Sequence, residues 1–439
     1  MKKTNKKTKK GAASFYVVAF STLILMIIAT SFAAIIISEV TRTSNDDLAQ
    51  SAYDSAMAGV EDAKLAYYNY QNCLIQKQNG SSEEAMNKYG CNEIFHYFES
   101  KTDDCDMVAK IIGRDNGSVV IDESKNVGNN MQQAYTCVTM TDSLNGYEST
   151  LSQSDLIRVI KAKFDDGIGA DKIGKVRLSW FSDSDSVGNK IYSNYDSLSS
   201  SVIFPDTISA AVSTPPTLSL AMVQTANDFN INEFDTSVGN RTNRAMVYLV
   251  PTQNGSAGKT GNHISATGNN ITKAQFAKSN DKKPTNLPFT VDCNEDTADY
   301  ACSATIELPD PVGAEAPDGH VVRNDDTFIF VVGLPYGKPQ TSFLLEFLCK
   351  DGTTCKSCSA SDPDCTEISS GSSVNLKGVQ LEVDSTGRAN DLYRRISVRM
   401  DNRQDYSLSL LGPLELLNDG SNESLVKDYT VLQEYNFFP

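Results

Sequence analysis

Between Ala12 and Ile37 the chain carries no charged residue. The run consists of Ala, Val, Ile, Leu, Phe, Met and Tyr with a few Ser and Thr. At a helical rise of about 1.5 Å per residue it reaches roughly 39 Å, enough to cross a bilayer with some tilt. The apolar core of a cleaved secretory signal is shorter, about 7–15 residues, and is followed by a small-residue cleavage site. One transmembrane helix over 12–37 is therefore expected. The leader before it, 1–11, holds Lys2, Lys3, Lys6, Lys7, Lys9 and Lys10 and no acid. Such lysines stay on the cytoplasmic side, which predicts a cytoplasmic N-terminus and an extracytoplasmic C-terminus. No second apolar run of this length follows, so the remainder is expected to be a water-soluble head held at the membrane by a single pass.

The helix is expected to continue past the membrane over 38–72. This stretch has no Pro and one Gly. Ala49, Ala52, Ala56, Val60, Ala63, Tyr67 and Tyr70 recur in steps of three or four, one apolar face of an amphipathic helix. Asp47, Asp54, Glu61, Asp62 and Lys64 occupy the other face. The Ala-rich face lets a neighbour approach closely, either the chain's own head or another helix.

The net charge is −16 although the leader is strongly basic, so the head is more acidic still. Nucleic acid and anionic membrane surfaces repel such a head, and no nucleic-acid partner is expected. All ten cysteines follow the anchor: Cys73, Cys91, Cys105, Cys137, Cys293, Cys302, Cys349, Cys355, Cys358 and Cys365. An even number on the exported side reads as disulfides. Pairs close in sequence, such as Cys293 with Cys302, close short loops. The run Cys349-x5-Cys355-x2-Cys358-x6-Cys365 leaves a four-thiolate zinc site as a second reading. Its irregular spacing and an oxidising exterior favour disulfides, and no metal or cofactor is expected.

A short helical stretch, 82–97, is followed from about residue 135 by strand-like segments: 156–164 and 176–181, which roughly alternate, then 218–223, 245–250, 327–333 and 343–349, and last 379–383 and 396–400, which alternate cleanly. Ser385, Thr386 and Gly387 read as the turn between the last two. Pro251 to Pro288 is rich in Asn, Gly, Thr, Ser and Lys and reads as a long loop. The expected fold is α+β: a long N-terminal helix, then a β-rich, disulfide-bonded head. That head divides into regions at 73–225 and 226–439.

Catalytic signals are weak. Of the three histidines, His96 sits among Phe95, Tyr97 and Phe98, where packing is expected, and His263 and His320 belong to no metal motif. No Gly-x-Ser-x-Gly elbow and no phosphate-binding Gly-rich loop occurs. Asp183-Ser-Asp185-Ser-Val187-Gly188 echoes a calcium loop. It has Val187 where an oxygen ligand is needed and Asn194 where such loops carry Glu. An enzyme is not expected.

A Lys-rich leader ending in Gly11, an apolar helix starting at Ala12 and an amphipathic extension together resemble the N-terminus of type IV pilins and pseudopilins. The stretch Ala49-Gln-Ser-Ala-Tyr-Asp-Ser-Ala-Met-Ala-Gly-Val-Glu-Asp-Ala63 is similar to that of PilX-type minor pilins. The resemblance covers about residues 7–70. It implies cleavage between Gly11 and Ala12 by a prepilin peptidase. It also implies assembly with other pilin subunits and the pilus machinery, with Tyr16, Ala49, Ala52, Ala56, Gly59, Val60 and Ala63 in filament packing. Most pilins carry Glu at the fifth mature position, where it neutralises a neighbour's N-terminal amine in an apolar core. This chain has Tyr16 there, which disfavours repeated stacking and implies a minor or tip position. The head is then displayed for adhesion or assembly. The alternative is a signal-anchored surface binding protein or adhesin outside any filament.

Overall fold

The computed structural model describes residues 12–402 except 89, 100–104, 114–118, 123–132, 166–167, 183–214, 231, 233–236, 240, 253–263, 266–269, 274–286, 294–298, 314–320, 336–339, 351–354 and 360–361. Gly11, the calcium-like stretch from Asp183 to Asn194, His263 and His320 lie outside the described residues.

Helix α1 runs unbroken over Ala12–Gln78, 67 residues, or about 100 Å. No proline interrupts it. In its apolar half the Ser and Thr hydroxyls donate back to carbonyls three or four residues earlier: Ser21 to Val18 O, Thr30 to Met26 O and Ser31 to Ile27 O. Each hydroxyl is thereby satisfied where no water is at hand. The large apolar side chains from Tyr16 to Val40 are exposed, Met26 at 74%. This is one helix long and apolar enough to span a membrane, near the N-terminus. The helix stops at Gly80, whose φ of +70° suits a residue without Cβ. There Gly80 N donates to Lys77 O at 3.2 Å and Ser81 N to Gln76 O at 3.1 Å, closing the last carbonyls.

Three short helices follow: α2 (Glu83–Lys88), α3 (Cys91–Glu99) and α4 (Met107–Ile111). The stretch expected as one helix over 82–97 is thus two, broken at Gly90. The Cys73–Cys91 disulfide ties the end of α1 to the start of α3, and Cys105–Cys137 ties the approach to α4 to the first long strand. His96 is exposed rather than packed, because Phe95 and Phe98 take the inward positions of α3.

A four-stranded antiparallel sheet packs on the second half of α1. Its order is Val119–Asp122, Gln133–Leu144, Leu376–Ala389, Leu392–Asp401. The last two strands join at Asn390-Asp391, with Asn390 at φ +53°, a two-residue hairpin of the kind Asn accommodates. The turn expected at Ser385 to Gly387 is therefore misplaced. Those residues run inside a strand, for a reason given below.

Residues Tyr147 to Leu376 build a second core, in which two sheets face each other. One has the order Ile264–Ser265, Leu287–Asp292, Arg244–Thr252, Leu218–Val223, Ile329–Gly333, Ile157–Lys161. The other has the order Asn270–Ile271, Tyr300–Glu307, Ile173–Ser182, Thr341–Cys349, Ser373–Val374, and Tyr147–Leu151 also pairs with Thr341–Cys349. Inward residues alternate along the strands, as in Thr341–Cys349, and the sheets interlock through aromatic rings. Phe347 meets Phe330 edge-on at 5.1 Å and Phe164 at 5.3 Å. Strands occupy parts of 251–288, which was expected as loop throughout.

The two cores do not divide the chain near residue 225. That point separates Leu218–Val223 from Arg244–Thr252, which are antiparallel neighbours in one sheet. The sandwich is instead an insertion. The helix-bound sheet takes its first two strands from before it and its last two from after it. A linear reading misses this because the strands that close the first core are separated from their partners by the whole second core.

Candidate functional site

Two places combine chemistry with geometry: the seam between α1 and its sheet, and a cleft where that sheet meets the sandwich.

The seam is built from small residues. Ala52, Ser55, Ala56, Val60, Ala63 and Ala66 on α1 are fully buried, and Tyr67, Tyr70 and Cys73 continue the face. Gly59 belongs to it: a Cβ there would come within 2.8 Å of Val138 Cγ2 and overlap Ser385 Oγ. From the other side comes Gly387, where a Cβ would overlap Ala52 O and Ala56 N. Strand backbone therefore rests directly on helix backbone. The register with Gln133–Leu144 shifts at this point, between Thr386 and Gly387. Glycine inside a strand marks such a close approach, and this signal could have located the seam in the sequence. Among the described residues three polar links cross it: Ser385 Oγ donates to Ala56 O at 2.8 Å, Tyr135 OH donates to Asp62 Oδ2 at 2.7 Å, and Asn402 Nδ2 donates to Tyr67 OH at 3.2 Å.

The residues expected in filament packing thus fall into two groups. Ala52, Ala56, Gly59, Val60 and Ala63 are covered by the chain's own head. Ala49, half-buried, marks the end of the seam nearest the membrane, and Tyr16 is 66% exposed on the bare half of the helix. Ala12 opens α1. Tyr135 was not singled out in the sequence, and Ser385 and Gly387 were read only as a turn, because all three lie far from α1 along the chain.

Burial sets the electrostatics beside the seam. It raises the ionisation of Tyr67 well above the ordinary phenol range, and the neighbouring charge of Asp142 pushes the same way. Asp142 is itself raised above the usual carboxylate range, first by burial and against the pull of Lys377. A carboxyl whose folded pKa lies above its unfolded value binds protons more tightly when folded. Stability contributed by the protonated form is present below the unfolded pKa and is lost as pH rises through the folded one. Asp142→Asn removes that loss. The variant should melt higher than the unmodified head at pH 7 and alike at pH 3, read by thermal denaturation at both pH values. A lower melting temperature at pH 7 would show that Asp142 is needed as an anion.

The second place is a polar cleft of about 600 Å³. Glu148, Arg158, Arg399 and Asp401 supply its charges, two of each sign. Ser149, Thr150, Ser342 and Ser397 supply hydroxyls. Its floor is Gln380, 4% exposed. Gln380 Oε1 accepts from Glu148 N at 3.0 Å, while its Nε2 donates to Glu148 O at 2.7 Å and Asp401 Oδ1 at 2.9 Å. One amide thus pins the helix-bound sheet to the sandwich. Arg399 crosses the same junction, 2.9 Å from Glu148 Oε2 and 2.8 Å from Glu382 Oε2. Arg158 Nε donates to Ser149 Oγ at 2.9 Å. Nothing in the sequence joins residues 148, 158, 380 and 399; only the insertion topology does.

The cysteines pair as Cys73–Cys91, Cys105–Cys137, Cys293–Cys302 and Cys349–Cys355. The last bond consumes two of the four sulfurs of the zinc reading, which is thereby ruled out. The side chains of Cys358 and Cys365 lie outside the described residues.

No family model, no curated protein and no solved structure matches this chain.

Proposed function

We propose that the chain is a minor or tip subunit of a type IV pilus or related filament, held first in the membrane by α1 and then drawn into the filament through it. The carrying observation is the division of labour along one unbroken helix. Its first half is apolar and bare, while its second half is bound to an antiparallel sheet through a small-residue seam. A bare apolar helix must be covered by lipid or by other helices, and moving from one to the other exchanges apolar contacts of similar kind. The seam makes head and helix move as one body. On this reading the N-terminus is cytoplasmic, the head is outside, and Gly11 is the residue after which a prepilin peptidase cuts. The partners are other pilin subunits and the assembly machinery. The chain is read as non-enzymatic, and the sandwich inserted in the sheet is the displayed part.

The test is the mature N-terminus, determined by mass spectrometry on membranes and on sheared surface material, for the unmodified chain and for Gly11→Leu. The unmodified chain should begin at Ala12, whereas Gly11→Leu should insert normally and keep its leader. A leader retained on the unmodified chain, or normal processing of the variant, would end the pilin reading.

A second reading is a signal-anchored surface binding protein. Tyr16 favours it, since no carboxylate is placed there to meet a neighbour's amine. Recovery of the chain only in membranes, and never with sheared filaments, would select it.

A further inference from the structure

We propose that the cleft between the helix-bound sheet and the sandwich binds a neutral carbohydrate. Its volume of about 600 Å³ lies within the range of about 300–1,000 Å³ usual for small-ligand sites. All of its lining side chains are polar, so an apolar ligand has no surface to bury against. Its lining carries two guanidinium groups and two carboxylates, and both guanidiniums are paired again just outside it, Arg158 with Asp155 and Arg399 with Glu382, so no anion is favoured by the field. These charges are already fixed by neighbours. Arg399 lies 2.9 Å from Glu148 and 2.8 Å from Glu382, and Asp401 accepts from the buried Gln380 at 2.9 Å.

What such a wall offers is alternation: planar donors and planar acceptors side by side, with hydroxyls between them. A sugar hydroxyl donates and accepts at once, so it can bridge a guanidinium and a carboxylate without breaking their pair. Glu148 and Arg399 keep 46% and 30% of their side-chain surface exposed, which leaves the paired charges reachable from solvent. Because Gln380 spends both ends of its amide on the floor, the wall is formed before any ligand arrives, and little ordering cost falls on binding.

This inference rests on the reading that the head is displayed outside the cell, where glycans are met, but its test does not. Purified full-length chain, in a detergent without a sugar headgroup, is applied to immobilised oligosaccharides ending in glucose, galactose or N-acetylglucosamine, and to sialylated and sulfated ones. Neutral glycans should be retained. Ser342→Trp and Ser397→Trp, which fill the cleft and leave the Gln380 and Arg399 contacts in place, should each weaken binding about tenfold or more. In the unmodified chain, hydrogen exchange should slow at 147–151 and 397–401 when the retained sugar is added. No retention, a preference for the anionic glycans, unchanged binding by both variants, or protection elsewhere would each overturn the proposal. A chain that binds neutral glycans but keeps its leader sinks the filament reading alone. A processed chain that binds none sinks this inference alone.

Discussion

Gly387→Val should cost on the order of 4–5 kcal/mol and release α1 from its sheet. The position has no room for any side chain. Even one carbon would overlap Ala52 O and Ala56 N, and it would stand 3.0 Å from Ala56 Cα. These are backbone atoms of a helix, which cannot rotate aside as a side chain would. The helix must then lift, and lifting it uncovers Val60, Ala63, Val138 and Val383 and breaks the link from Ser385 to Ala56 O. Valine in place of threonine at the preceding residue, Thr386→Val, places its side chain on the opposite face of the strand. That change should stay within about 0.5 kcal/mol. Limited proteolysis and thermal melting of the two variants, side by side, check this. Equal stability would mean that the head does not sit on the helix as described. Loss in Gly387→Val alone would also show that docking depends on backbone contact rather than on strand propensity, which valine improves.

Arg323→Leu should cost about 3–5 kcal/mol, this time in the sandwich. Arg323 is buried at one end of the two sheets. Its guanidinium donates to Gln224 Oε1 at 2.6 Å, to Ala170 O at 2.5 Å, to Ile173 O at 2.8 Å and to Pro309 O at 3.1 Å, and it lies 4.7 Å from the Phe328 ring centroid. Ile173 opens a strand of one sheet and Ala170 and Pro309 flank strands of that sheet, while Gln224 follows a strand of the other. The side chain is thus a bolt between them. Burial pushes its pKa down to about 10, partly offset by Asp310, Asp171 and Asp325, so it remains charged at neutral pH. Leucine fills much of the volume but takes a donor from four buried acceptors; Pro309 O keeps Gln224 Nε2 at 2.9 Å and Ala170 O keeps Ile173 N, so the desolvation of Gln224 Oε1 and Ile173 O dominates the loss. Arg323→Lys keeps the charge but has only three donors and no planar fork, so it should recover part of the stability. Urea denaturation of the three proteins orders them as unmodified, Lys, Leu. Near-equal midpoints for Leu and unmodified protein would show that these hydrogen bonds add nothing net.

Local pattern made several features readable in advance. The uncharged run from Ala12 to Ile37 needs no tertiary contact to be a helix of spanning length, because backbone bonds satisfied within one segment are demanded by the bilayer itself. The spacing from Ala49 to Tyr70 marked the buried face of α1, since a face repeating every three or four residues is a property of the helix alone. The alternating stretches, such as Val176 to Phe181 and Ile396 to Met400, were legible for the same reason. The cleft was not. Each of its residues reads alone as an ordinary surface polar group, and their meeting depends on Tyr147–Leu151 and Leu376–Ala389 lying at the two ends of the inserted sandwich.

A spanning helix, its amphipathic continuation and a strand-rich head with an even set of cysteines were all legible from local pattern. These follow from periodicities of two and of three to four, and from charge, all of which act over a few neighbouring residues. Long-range packing sets where the chain divides into cores, that Gly387 is a contact and not a turn, and that Gln380 and Arg399 meet Glu148. Those outcomes depend on pairings between strands more than two hundred residues apart, such as Leu144 with Leu376. No local preference encodes such a pairing. It is selected by the burial of whole faces at once, with the small-residue groove on α1 and the free edge of Gln133–Leu144 accepting the one late strand whose glycine falls where the helix leaves no room.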